Sequence, residues 1–115
     1  MTHISLEQLL KLKEVQVLPN ASTVIWNAKL GYNAELTLNG NKTLQISQFE
    51  KGDYGTIKII QDNAGGRTLT LPPNSKVSGG GAGVLLLSTV GNAVDIATFY
   101  FDGTNLYWNL STNFS

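Results

Sequence analysis

From Thr23 onward the chain is a succession of short apolar or β-branched runs, each closed by an Asn-, Asp- or Gly-rich turn after about 8 to 12 residues. Chains with that rhythm fold as sandwiches or barrels, here with roughly eight strands. In residues 33–38, Ala34, Leu36 and Leu38 alternate with Glu35 and Thr37, so three apolar side chains point one way and the polar ones the other. Residues 43–47 repeat the pattern with Leu44 and Ile46 inward. The intervening Asn39-Gly40-Asn41 predicts a hairpin over 33–47. Residues 56–61 place Ile57 and Ile59 inward, and the turn at 62–66 predicts a second hairpin onto 67–71, where Leu69 and Leu71 face in. Pro72-Pro73 ends that strand, since neither residue can donate to a ladder. The run 84–87 reads as a buried strand.

The C-terminal third carries the clearest turn chemistry. Residues 93–101 and 106–110 flank Asp102-Gly103-Thr104-Asn105, in which Gly accepts positive φ and the Asp side chain can bond the backbone ahead of it. The first of these runs is apolar on both faces, Val94, Ile96 and Tyr100 against Ala97, Phe99 and Phe101. That suits a strand covered on both sides. The expected fold class is therefore all-β: an antiparallel β-sandwich of jelly-roll type with about eight strands over residues 19–115, and no evident solenoid repeat.

Residues 1–18 differ. Ser5 and Gln8 have capping-box spacing, and Leu6, Leu9, Leu10 and Lys13 share one helical face, so a short N-terminal helix or extended arm is expected. An apolar stripe this short is marginal alone in water and needs a surface to pack on. Either it folds onto its own β-domain, or it is an attachment segment whose Leu6, Leu9 and Leu10 dock on a partner.

Composition removes whole classes of function. A chain of 115 residues is one domain, and without cysteine it has neither disulfides nor thiolate metal sites. Eight basic and eight acidic side chains cancel, leaving no field to draw in nucleic acid or an anionic membrane. No stretch approaches the about 18 apolar residues of a membrane helix, and the N-terminus lacks the pattern of a secretion signal. The single histidine, His3, lies near the start, and the carboxylates are scattered singly, several of them in turns that account for them. No catalytic residue, metal site or cofactor is expected, and the chain reads as a non-enzyme. The glycine cluster at 78–83 is followed by Val84 rather than by Lys and Ser or Thr, which excludes a phosphate cradle.

Two features remain. Asp95 interrupts an apolar strand and should face solvent at the strand's start or accept bonds from a partner such as Arg67, the only arginine, in a structural rather than a binding role. Six aromatics, Trp26, Tyr32, Tyr54, Tyr100, Tyr107 and Trp108, could offer ring faces to sugars; Trp26, Tyr100 and Trp108 sit among aliphatic neighbours as core or interface, whereas Tyr32 and Tyr54 lie at loop edges where a ring could be exposed.

The segments WNAKLGYNAELTLNGNKTL from Trp26, GDYGTIKIIQDNAGGRTLTLP from Gly52 and VDIATFYFDGTNLYWN from Val94 resemble the β-domain of phage fibre proteins, including head fibres and tail-fibre-like proteins of phages of gut bacteria. The resemblance implies a structural protein of the virion surface, made in the host cytoplasm. It would be a head fibre or capsid decoration protein, homotrimeric, anchored to capsid or fibre base by its N-terminal segment and contacting host-surface glycans. The rival reading is a free-standing carbohydrate-binding module, which would be monomeric.

Overall fold

The computed structural model describes Leu6, residues 14–79 and residues 83–114. Nine strands occur among them: β1 (Val15–Val17), β2 (Thr23–Asn27), β3 (Asn33–Leu38), β4 (Lys42–Ser47), β5 (Tyr54–Gln61), β6 (Leu69–Thr70), β7 (Ser75–Val77), β8 (Val94–Phe101) and β9 (Leu106–Phe114). They form a six-stranded sheet in the order β1-β3-β5-β8-β9-β7 and a three-stranded sheet in the order β2-β4-β6. The all-β, two-sheet architecture is as expected.

Pairing direction is not. Up to β6, successive strands alternate between the sheets, and each lies parallel to the strand two places on. The chain thus winds round its core in three stacked coils, β1–β2, β3–β4 and β5–β6, so solenoid-like winding is present although no repeat is legible. Parallel neighbours need a long crossover, and here a strand of the opposing sheet supplies it in place of a helix. Both hairpins predicted over 33–47 and 56–71 are therefore corrected: β3 and β4 lie in different sheets, as do β5 and β6. The reason is local. The favoured two-residue hairpin turns need positive φ at the first central position or at both, and neither Asn39 nor Gly40 has it. The turn crosses to the other sheet instead. At the second corner the Gln61 amide takes the place of a ladder, donating to the Arg67 and Ser88 carbonyls at 2.9 and 3.0 Å while its oxygen accepts from the Arg67 N–H at 3.0 Å.

Side-chain alternation holds throughout. Ala34, Leu36, Leu38, Ile57, Ile59, Ala97, Phe99, Leu106 and Trp108 of the larger sheet meet Val24, Trp26, Leu44 and Leu69 of the smaller one in a single buried core. Gly55 is part of that fit, because a Cβ there would stand 2.6 Å from the Trp26 ring and 2.7 Å from Phe99. Val15–Val17 pairs with β3 and Leu18 is buried, so the β-body begins before Pro19. The N-terminal helix or arm predicted for the preceding residues lies outside those described, except for Leu6, which is exposed.

The C-terminal hairpin forms as expected: β8 and β9 are antiparallel, and Gly103 sits at φ 97°. Asp102 accepts from the Thr104 and Asn105 N–H groups at 2.8 and 2.6 Å. The run 84–87 is not a strand. Its side chains nonetheless alternate, Leu85 buried and Leu87 packed half-buried against the core with Val84 and Leu86 exposed, but no ladder pairs the segment with a neighbouring strand. Asp95 takes the second of its two expected settings, accepting bonds from partners in a structural role, although the partner is not Arg67, which pairs with Asp62 at 3.2 Å. Buried at a β-bulge, its carboxylate accepts from the Ser88 N–H and hydroxyl, each at 2.7 Å, and from the Asn113 N–H at 2.8 Å. It ties the loop before β8 to the end of β9.

Candidate binding face

The register of the larger sheet determines which side chains share its outer surface. Tyr54 of β5 stands opposite Tyr100 of β8, and Tyr100 opposite Tyr107 of β9. Directly opposed antiparallel residues project to the same face with Cα atoms about 5 Å apart. Three tyrosines therefore form a row across three strands, 58%, 51% and 45% exposed. The remaining tyrosine of the chain, Tyr32, extends the line, its ring centroid 5.8 Å from that of Tyr54 with the planes at 44°.

The row stands on a rigid base. Tyr32 lies 6.0 Å from Phe49, which stacks edge-on against Trp26 at 5.5 Å; Trp26 meets Phe99 at 5.3 Å, and Phe99 meets Trp108 at 4.9 Å. Both indoles are anchored as well, Trp26 donating to the Gly31 carbonyl at 3.1 Å and Trp108 to the Ser75 hydroxyl at 3.0 Å.

Two carboxylates orient hydroxyls of the row. Tyr107 donates to Asp102 at 3.1 Å and Tyr32 to Asp53 at 3.4 Å. Partial burial, reinforced by Asp53, pushes the Tyr32 phenol above its ordinary value. The Asn105 and Thr104 N–H groups hold the Asp102 carboxyl below the usual range. The charged groups flanking the row are Glu50, Asp53 and Asp102 on one side of the balance and Lys51 and Lys76 on the other.

Below the tyrosines the same face continues as Asn33–Thr56–Thr98–Asn109, a line of hydroxyls and amides. Beyond it the surface turns aliphatic. Val17, Ile96, Ile60, Val94 and Phe114 surround the Glu35 and Lys58 pair, with Val17 the most exposed of them at 72%. One sheet face thus has an aromatic, hydrogen-bonding half and an aliphatic half.

Of the residues singled out from the sequence, Tyr32 and Tyr54 are brought together. Leu6 is exposed, and Leu9 and Leu10 lie outside the described residues. Tyr100, expected in the core or an interface, points outward, as does Tyr107, which the sequence offers as a ring without placing it. Strict alternation would have found both, since Phe99 and Trp108 are inward and their neighbours must face out. Among the described residues no group of three or more His, Cys, Asp or Glu could hold a metal ion.

A family model described as "Putative phage tail fibre C-terminal domain" matches residues 17–106. The chain belongs to this family. No curated protein and no solved structure matches it. The family match begins at the last residue of β1 and ends at the first residue of β9, so it takes in β2 to β8 and the tyrosine row as far as Tyr100. The resemblance to phage fibre β-domains is thereby supported, and with it a structural role as a virion component.

Proposed function

We propose that this phage fibre domain is a non-enzymatic element of the virion surface that assembles as a homotrimer and touches host-surface glycan. The observation that carries the reading is the outer face of the larger sheet, where exposed Val17 and Phe114 and half-buried Ile60, Val94 and Ile96 share one surface that no other element among the described residues covers. In this reading the aliphatic half is the seam between copies. The aromatic half, with Tyr32 and Tyr54, stays free for sugar. Attachment to other virion proteins falls to the N-terminal segment through Leu6, Leu9 and Leu10. The family points to a tail fibre, and immunogold labelling of particles separates that position from a head fibre or capsid decoration protein.

Light scattering tests the assembly. The wild-type chain is expected at the trimer mass, and Ile96→Asp, which puts a charge into the seam, at the monomer mass with an unchanged circular dichroism spectrum. A monomeric wild type at micromolar concentration refutes the assembly and favours the free-standing carbohydrate-binding module.

A further inference from the structure

We infer that Tyr54, Tyr100 and Tyr107 form a stacking platform for an extended, neutral hexopyranose chain lying across the strands. The inference rests on the glycan contact proposed above and gives it a place, a direction and a ligand class. Direction follows from register, because the three residues lie on a line perpendicular to β5, β8 and β9, with their backbones at the spacing of neighbouring strands, about 4.8 Å. That spacing is close to the step between consecutive rings of an extended hexopyranose chain. Successive sugars can therefore meet successive tyrosines.

The surroundings select sugar over a protein partner. Phenol rings offer apolar faces to the C–H faces of pyranoses, and the adjacent Thr56, Thr98 and Asn109 supply side chains that bond hydroxyls. The far half of the face, by contrast, surrounds its Glu35 and Lys58 pair with aliphatic side chains and offers few groups to bond sugar hydroxyls. Charge selects among sugars. Glu50, Asp53 and Asp102 are not outweighed by Lys51 and Lys76, so no cationic surplus is present to hold a uronic or sialic acid chain. Tyr32 is a buttress, half-buried against Phe49 with its hydroxyl held by Asp53. It sets the end of the row.

Calorimetry on the intact protein with hexasaccharides of glucose, mannose and galactose, and with polygalacturonate as the anionic probe, tests this. At least one neutral hexasaccharide should bind, more tightly than its disaccharide, since a longer chain covers more of the row. Tyr100→Ala should weaken that binding by about tenfold or more, and Tyr100→Phe, which keeps the ring, should bind close to wild type. Tyr107→Ala provides a second removal from a different strand. Neutral binding unaffected by both alanine variants overturns the platform and leaves the glycan reading standing elsewhere on the molecule. Preference for polygalacturonate overturns the ligand class. Absence of binding to every probe overturns the platform together with the glycan contact on which it rests.

Discussion

Single atoms decide several features of this domain. Gly55 sits on β5 where the edge of Trp26 and the ring of Phe99 close over the backbone. Those rings are held from behind by Phe49 and Trp108, so they have little room to withdraw. Gly55→Ala should therefore cost about 1 to 3 kcal/mol, as overpacking of a filled core does, and calorimetric melting will read it. Charge acts at the same scale. The Arg67 guanidinium beside Asp62, and the backbone N–H groups of Asn105 and Thr104 at Asp102, hold both carboxyls below the usual range. A group whose pKa is depressed by folding stabilises the fold fully above its unfolded value, about 3.9, and loses that contribution as pH falls through the folded value. The melting temperature should thus be level from pH 7 down to about pH 5 and fall below about pH 4. Asp62→Asn with Asp102→Asn should flatten that acid limb, and an unaltered limb would mean that other carboxyls control it.

At the level of elements, two glycines with similar sequence settings should behave oppositely. Gly40 lies in the corner between β3 and β4 without positive φ, and a Cβ added there would meet nothing within 4 Å, so Gly40→Ala should be close to neutral. Gly103 at φ 97° lies in a true hairpin, and a Cβ there would come within 3.3 Å of Lys51; Gly103→Val should lower stability by about 1 to 3 kcal/mol. Urea melts of the two variants separate a corner from a hairpin without a new structure. The same contrast explains what could be read beforehand. Inward positions such as Leu36, Leu44, Ile57 and Leu69 were legible because a period of two is a property of each strand alone. Strand direction was not, because Asn and Gly serve equally to turn back along one sheet and to cross to another. For the candidate face, Tyr32 and Tyr54 were visible as ring-bearing residues at loop edges. The row itself depends on the register of three strands, two of them paired across a hairpin, and Tyr100 was hidden because Val94 and Ile96, on its own face, are apolar as well. In the run 84–87, alternating hydrophobicity has the pattern of a strand, but no ladder partner makes it one.

For the whole molecule, the division between body and attachment segment can be tested by two truncations. Removing residues 1–13 leaves β1 in place and should not change the melting temperature, while abolishing incorporation into particles. Removing residues 1–18 also takes β1 and buried Leu18, uncovering the edge of β3, and should destabilise the fold by at least the about 2 to 5 kcal/mol of a lost core leucine. Normal incorporation of the shorter truncation would move attachment onto the β-body. The stacking order of the coils has a further consequence, for synthesis. Up to β6, each strand finds a ladder partner in the coil made just before it or just after it, so a chain leaving the ribosome can lay every coil on the edge left by the last. The exception is β7, whose ladder partner among the described residues is β9. It emerges, waits unpaired through the glycine-rich stretch, and is captured when the final hairpin arrives. Vectorial growth from one end, finished by a single late closure, is the assembly path that this strand order favours.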